Sequence, residues 1–538
     1  MKGFSGSMRT AEVIGDLSEL WYREGFHTHR SWVDVLPEKC VENARTRIVY
    51  VAADGSQSVT TVGEIYSAAK DVASAMRGFG IGSGDSVAVQ LPNCFEASVA
   101  YVAVLLAGAV LVPIVHVYGP NEVRFILEQS EAKLFIQPSR WRSIDYCGRV
   151  EGYGDIASLE RIVLVGNDVP DGCIVWSELT SDETCTVPIV HADDVALLIY
   201  TSGTTAAPKG VQHSHNSLLT EVRSASRYLR GRDDSVQLVS FPPGHIAGVS
   251  SVLRPLVHGW NAVYMQMWDP ELAVELIASH RVTATGGTPF HLAGILDVGG
   301  AADKLMTLSD FLIGASTVPE DLVRRAQTAG IATFRCYGST EHPTATSGCA
   351  DDPEDARLGT DGAPMDGVRV RVVDELGIDV PVGVDGEIIL RGPDQFIGYR
   401  DSSLNAEAFT EDGWMRTGDL GHLDRDGRLT ITDRLKDVVI RAGETMSSGQ
   451  IEDVLVTHPA IQEGVIVAAA DERYGEVVAA VVVLSPGMKL ELVELREHFA
   501  ASGLARQKTP ERLVVVDELP RTVLGKIRKA ELRSAYFT

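Results

Sequence analysis

The sequence predicts an α/β protein: a large N-terminal domain of doubly wound α/β layers carrying a small β-rich subdomain, followed by a small α+β C-terminal domain. Three observations predict it. From about residue 62 to 340, helical apolar periodicity alternates with short, wholly apolar runs, the pattern of strands buried between helix layers. From about 345 to 433 the texture changes to period-two alternation between Gly/Asp turns. After Arg434 the pattern becomes helix, two strands, helix.

Residues 1–60 show little periodicity. Val87–Leu91, Leu134–Ile136 and Ile162–Val165 read as strands, and Ile331–Cys336 is another. Ala97–Val115 carries no charge and is long enough to suggest a membrane span. Glu96 at its start, Gly108 within it and Pro113 near its end divide it into a buried helix over 94–107 and a core strand over 109–114. Asn216 is placed to cap a helix through Arg230, with Leu218, Leu219, Val222, Ala225 and Leu229 on one face. Asp269-Pro270 opens a further helix with Pro at the first helical position, and Pro319–Gly330 has the same start and stop. Val368–Val373, Glu387–Arg391 and Arg428–Thr432 are the alternating strands of the β-rich part. The tail holds a helix over 449–456, strands over 463–470 and 476–484, and a helix over 491–501. The polar stretch Thr432–Asp437 marks the boundary.

The 538 residues are 45% hydrophobic and 22% charged, enough for several cores. A net charge of −25 and a pI near 5.0 disfavour binding to nucleic acid or to anionic membranes. An anionic nucleotide would need local cations, which Lys209, Arg434 and Lys526 can supply. The seven cysteines, at 40, 94, 147, 173, 185, 336 and 349, form no C-x-x-C pair and read as free thiols in a reducing compartment. The N-terminus lacks an apolar signal core, so a cytoplasmic location is expected.

The most informative stretch is Tyr200–Gly210. The apolar run Val195–Ile199 ends in a loop of small residues, hydroxyls and one cation. Small side chains let backbone N–H groups turn toward an anion. Ser202, Thr204 and Thr205 add hydroxyl donors around Gly203, and Lys209 adds a mobile positive charge. The composition is that of a polyphosphate cradle. It is not the G-x-x-x-x-G-K-[ST] loop, because Pro208 precedes Lys209 and an extended run follows instead of a helix. Four further sites stand out: Tyr337-Gly-Ser-Thr-Glu341, Trp414-Met-Arg-Thr-Gly-Asp419, Asp433-Arg-Leu-Lys-Asp437 and Pro520-Arg-Thr-Val-Leu-Gly-Lys526.

In order, spacing and content across residues 50–535, these five motifs resemble those of adenylate-forming enzymes: acyl-CoA synthetases, peptide-synthetase adenylation domains and luciferases. The likeness is greatest to bacterial fatty-acid or organic-acid CoA ligases. The resemblance implies ATP, Mg²⁺ and coenzyme A as cofactors and a small carboxylic acid as substrate, with no membrane insertion and a homodimer left open. It implies an adenylation domain over 1–433, a hinge over 434–436 pivoting at Lys436, and a mobile C-terminal domain over 437–538.

Residue roles follow from the same resemblance. Thr201–Gly210 would close over the β- and γ-phosphates, Thr340 would donate to the α-phosphate, and Glu341 would hold Mg²⁺. Tyr337 would stack on adenine beside Gly338, with Ala315 also at the nucleotide. Asp419 would accept from both ribose hydroxyls, and Arg434 would contact ribose and phosphate. Lys526 would bridge the substrate carboxylate and the α-phosphate during adenylation. Tail rotation would then bring Ala442-Gly443-Glu444 to the site, with Gly443 passing pantetheine.

Departures from the family pattern are Ala206 for a usual Gly, Ser448 for Pro and Gln450 for Glu. Phe241–Gly248 resembles the segment where acyl pocket and ATP site meet. Amino-acid-activating relatives place an Asp there to pair with an ammonium, and this chain has His245 instead, favouring an uncharged acyl tail. His245, Ile246, Val249, Thr288 and His342 are expected in the acyl pocket, with Ala315 close by. His27/His29 and His213/His215 have the i, i+2 spacing of one strand face but lack further ligands for a metal site. Two other outcomes stay open: loading of a carrier protein from the acyl-adenylate, and a non-catalytic nucleotide-binding relative.

Overall fold

The structure, a computed structural model, describes residues 17–180, 188–201, 208–227, 235–314, 320–442, 444–521 and 527–537. The chain divides into two compact units. The first contains the residues up to Ser202 together with Pro208–Arg369 and Arg391–Trp414; the second contains Val370–Leu390 and Met415–Thr538.

Two large sheets organise the first unit. One has a parallel centre in the order Ala332–Tyr337, Asp310–Ile313, Ala284–Gly287, Val236–Val239, Asn261–Met265, Arg47–Val51, with antiparallel strands at both edges. Val49, Leu238, Val263, Phe311 and Ile313 supply its core. The other runs Gly398–Tyr399, Lys209–Ser214, Val195–Thr201, Val110–Pro113, Ser86–Val89, Leu134–Pro138, Arg161–Val165, Ile174–Val175, built around Ala88, Val112, Phe135, Leu164 and Leu198. Strands such as Ser86–Val89, Val110–Pro113 and Leu134–Pro138 are buried along their whole length, as helix layers on both faces require. The expectation of α/β layers is borne out.

The uncharged stretch after Glu96 is a buried helix, Phe95–Leu106, and then the strand Val110–Pro113. No helix among the described residues is long and apolar enough to cross a membrane. Asp269 caps Pro270–His280 by accepting from the Leu272 N–H at 2.9 Å. The expected Asn216 cap is displaced. Ser214 is the N-cap, accepting from Ser217 N at 3.1 Å, and the helix spans only His215–Ser224 before a 3₁₀ turn at Ala225–Arg227. Asn216 spends its side chain on distant groups, accepting from Thr28 N and donating to Tyr22 Oη and Asp193. The aperiodic first 60 residues contain the helix Trp32–Glu42 and the strands Arg47–Val51 and Gln57–Thr61. Pro37 inside that helix blurred its signal.

The second unit pairs Arg369–Val373, Gly386–Arg391, Met415–Leu423 and Leu429–Arg434 in one antiparallel sheet. A five-stranded sheet follows, centred on Gly475–Leu484 against Ile461–Asp471. The tail is therefore richer in strands than the helix–strand–strand–helix reading, adding Val439–Arg441, Glu444–Met446 and Arg512–Val515 and a last helix, Lys529–Tyr536. Its two long strands bury both faces by strict alternation. Ile466, Ala468, Val478, Ala480 and Val482 form one core with Ile451, Leu455, Leu495 and Phe499; Val465, Val467, Ala469, Val477 and Val481 form the other with Leu532 and Phe537.

Candidate active site

Strand pairing brings the first unit's chemistry together. Lys209–Ser214 runs antiparallel to Val195–Thr201 on one side and to Gly398–Tyr399 on the other, with Thr201 opposite Lys209 and Val211 opposite Tyr399. Lys209 Nζ lies 5.1 Å from the centroid of the Tyr399 ring. The Tyr399 hydroxyl donates to Glu341 Oε1 at 2.8 Å. Burial first, then the Glu341 charge and that hydrogen bond, hold the phenol far above its ordinary range, so it stays a neutral donor.

The Ser339–His342 turn is clamped from several sides. Ser339 N donates to His342 O at 2.9 Å, and Phe396 N donates to Glu341 O at 2.8 Å. His213 Nε2 meets Thr340 O at 2.8 Å. A carbonyl only accepts, so Nε2 carries the proton. His213 is fully buried, and desolvation pushes its pKa down to about 4, keeping it neutral. His342 is also fully buried, its Nδ1 3.1 Å from Asp394 Oδ2. Gly338 makes this packing possible, because a Cβ there would lie 2.0 Å from Pro343 O.

Three of the acyl-pocket candidates, His245, Ile246 and Val249, lie on a second anchored segment. His245 is the N-cap of Ile246–His258, and Val249 N donates to His245 O at 2.9 Å. A Cβ on Gly244 would lie 2.4 Å from Val115 N, so the turn lies directly on the chain after Val110–Pro113. Tyr101 Oη donates to Pro243 O, and Asn93 Nδ2 to Phe241 O. Burial holds His245 at about 4. His116 is held at about 4 as well, by burial first and then by its proximity to His245. Thr288 caps Pro289–Asp297, its hydroxyl 2.9 Å from His291 Nδ1.

In the second unit, Asp419 stands opposite Arg434 in paired strands, with Arg434 Nε 3.0 Å from Asp419 Oδ1. Lys436 is exposed in a turn closed by Asp437 N and Val438 N, both donating to Arg434 O. Ser202, Gly203, Thr204, Thr205, Ala206, Ala315, Gly443 and Lys526 lie outside the described residues.

Tyr399 carried no sequence signal, and His213, His215 and Ser448 carried a misleading one. Tyr399 meets an acid 58 residues away. His213 and His215 do not share a strand face: His213 ends a strand and His215 opens a helix, where its Nδ1 accepts from Trp32 N at 3.3 Å. Ser448, read as a departure from Pro, uses the N–H that Pro lacks to donate to the Asp433 carboxylate, while its hydroxyl lies 3.0 Å from Lys529 Nζ. Among the described residues no cluster of three or more His, Cys, Asp and Glu side chains is arranged to hold a metal ion by itself. The Glu341 carboxylate, with one oxygen hydrogen-bonded to a neutral phenol, instead suits a hard dication that arrives with phosphate oxygens.

The sequence matches the AMP-binding enzyme family over residues 38–400 and the AMP-binding enzyme C-terminal domain over 450–526. The chain belongs to the AMP-binding enzyme family. The expected membership of the adenylate-forming superfamily is thereby borne out. This AMP-binding enzyme is 36% identical over 478 residues to the medium-chain fatty-acid–CoA ligase of Escherichia coli (strain K12), covering 87% of this chain and 84% of the relative. It is 26% identical to the 2-succinylbenzoate–CoA ligase of Bacillus cereus, over 93% of this chain and 98% of the relative. The fold is similar to ATP-bound MatB from Rhodopseudomonas palustris, with a TM-score of 0.83, 26% identity and coverage of 94% of this chain and 99% of that one. It is similar to o-succinylbenzoate coenzyme A synthetase from Bacillus subtilis in complex with ATP and magnesium, with a TM-score of 0.79, 26% identity and coverage of 94% and 99%.

Proposed function

We propose that this chain is an ATP-dependent, AMP-forming acid–CoA ligase acting on a carboxylic acid with an uncharged acyl tail. The observation that carries the reading is the clamped Thr340–Glu341 turn, whose acid is tied to the same tyrosine that Lys209 covers. Family membership and the CoA-ligase names of its relatives support the same reading.

In the first half-reaction the substrate carboxylate attacks the α-phosphorus of ATP, and pyrophosphate leaves. Negative charge builds on the phosphate oxygens, so cations and donors must be in place beforehand. Lys209 brings positive charge to the phosphate loop, and Thr340 presents a hydroxyl to the α-phosphate. Glu341 would hold Mg²⁺, which draws charge off the phosphate oxygens. Asp419 accepts from the ribose hydroxyls beside Arg434. Lys526 supplies the mobile cation between carboxylate and α-phosphate. In the second half-reaction the CoA thiol attacks the acyl carbonyl, AMP leaves, and, after a pivot at Lys436, Gly443 would be the residue that lets pantetheine pass. His245, neutral and partly buried in place of a carboxylate, leaves an ammonium-bearing substrate without a partner.

The test is pyrophosphate release from a panel of carboxylic acids, with and without CoA, in wild type and Lys526→Ala. Acid-dependent release, with CoA thioester as product and adenylation abolished in Lys526→Ala, is the expected result. Acyl-adenylate that forms but never passes to CoA would move the reading to carrier-protein loading. No release with any acid would leave a nucleotide-binding relative without turnover.

A further inference from the structure

Glu341 is held twice by one short segment. Its carbonyl accepts from Phe396 N at 2.8 Å, and its side chain accepts from Tyr399 Oη at 2.8 Å. That segment is itself fixed. Gly398 and Tyr399 pair with Gln212 and Val211, Tyr399 N donates to Asn405 Oδ1 at 2.9 Å, and the Tyr399 ring packs on Phe396 at 5.0 Å between centroids. Tyr399 is 7% exposed, so the donor has little freedom to leave.

A glutamate on a surface turn samples many rotamers, and fixing them for a ligand costs conformational entropy. A neutral phenol donor fixes one carboxylate oxygen without cancelling the charge, which a lysine or arginine in its place would do. Lys209 is so placed that it does not cancel it either, since its Nζ meets the Tyr399 ring and makes no ion pair with Glu341. The result is a carboxylate with one oxygen anchored by a neutral donor, and its second oxygen is the one proposed to meet a hard cation.

We propose that Tyr399 is a positioning residue for Glu341, pre-orienting its carboxylate for the divalent cation that accompanies the nucleotide. The proposal rests on the ligase reading for the identity of the cation and its nucleotide. Tyr399 touches neither; it acts through Glu341.

The experiment uses the full chain with Mn²⁺ and α,β-methylene ATP, which permits no chemistry, and reads Mn²⁺ binding by water-proton relaxation. Tyr399→Phe keeps the ring and its Lys209 contact and removes only the donor. It should weaken Mn²⁺ in the ternary complex roughly tenfold, the scale of one hydrogen bond to a charged group. Glu341→Gln should weaken it further, and the double variant should be no weaker than Glu341→Gln alone. In turnover, excess Mg²⁺ should restore pyrophosphate release by Tyr399→Phe and not by Glu341→Gln. Wild-type Mn²⁺ affinity in Tyr399→Phe, or a loss that adds to that of Glu341→Gln, overturns the positioning role. Wild-type protein that binds Mn²⁺ with the nucleotide but activates no acid overturns the ligase reading, and the binding cycle still decides for or against Tyr399. Wild-type protein that binds no Mn²⁺ with the nucleotide overturns both.

Discussion

Arg434 Nε lies 3.0 Å from Asp419 Oδ1, the two residues standing opposite each other at the ends of paired strands. Asp419 is buried, while Arg434 remains half-buried. The guanidinium thus fixes one oxygen of the carboxylate that is proposed to receive the ribose hydroxyls. Asp419→Asn should raise the KM for ATP by roughly tenfold or more, the cost of losing charge-assisted acceptors, with a smaller fall in kcat. Steady-state kinetics at varied ATP checks this, and an unchanged KM would remove Asp419 from the nucleotide site.

Gly338 tests the turn that carries Thr340 and Glu341. A methyl group there would lie 2.0 Å from Pro343 O and 2.9 Å from His342 O, both backbone atoms that cannot swing away. Gly338→Ala should cost roughly 1–3 kcal/mol of stability and more than tenfold in adenylation, because relief of the clash displaces the turn. Thermal unfolding and pyrophosphate release measure the two effects. Wild-type values in both would mean that the turn tolerates the shift.

Buried histidines set an acid limit. His213 is pushed from 6.5 down to about 4, chiefly by burial, and His116, His215, His245 and His291 are held at about 4 for the same leading reason. Each is neutral when folded and takes up its proton at higher pH when unfolded. Stability is therefore full above pH 6.5 and is lost as pH falls from 6.5 toward 4, at about 1.4 kcal/mol per pH unit for each group. Urea unfolding from pH 7.5 to 4.5 should show this slope, reduced in His213→Gln, whose amide can still donate to Thr340 O. An equally steep slope in that variant would show that His213 does not titrate this way.

The hinge assignment predicts a split between half-reactions. Leu435 N donates to Gly418 O, and Asp437 N and Val438 N both donate to Arg434 O, so the residues on either side of Lys436 are tied locally. Proline fixes φ near −65°. Lys436→Pro should trap one tail orientation, leaving acyl-adenylate formation largely intact while CoA thioester formation falls steeply. Full CoA ligation by this variant would place the pivot elsewhere.

Much of the fold was legible in the chain. Unbroken apolar runs such as Leu134–Ile136 and Ile162–Val165 are strands because two-sided burial leaves no polar position. Asp269-Pro270 opened its helix as local capping chemistry requires. Reading failed where tertiary demand overrode local preference. Asn216 looks like a cap, but its amide serves Tyr22, Thr28 and Asp193, and Ser214 caps instead. Trp32–Glu42 escaped because Pro37 inside it reads as a helix breaker.

The sequence by itself determined the candidates for chemistry here: the hydroxyl-rich loop ending in Lys209, the Thr340–Glu341 pair, Asp419, Arg434 and Lys526, recognisable because each motif is contiguous. Only the tertiary structure decided what holds them. Tyr399 reaches Glu341 across 58 residues, His213 reaches the Thr340 carbonyl across 127, and Ser448 joins Asp433 to Lys529. Such partners are chosen by strand register and burial. A buried donor must find whichever acceptor the packed sheets bring within 3 Å, and no spacing along the chain records that distance.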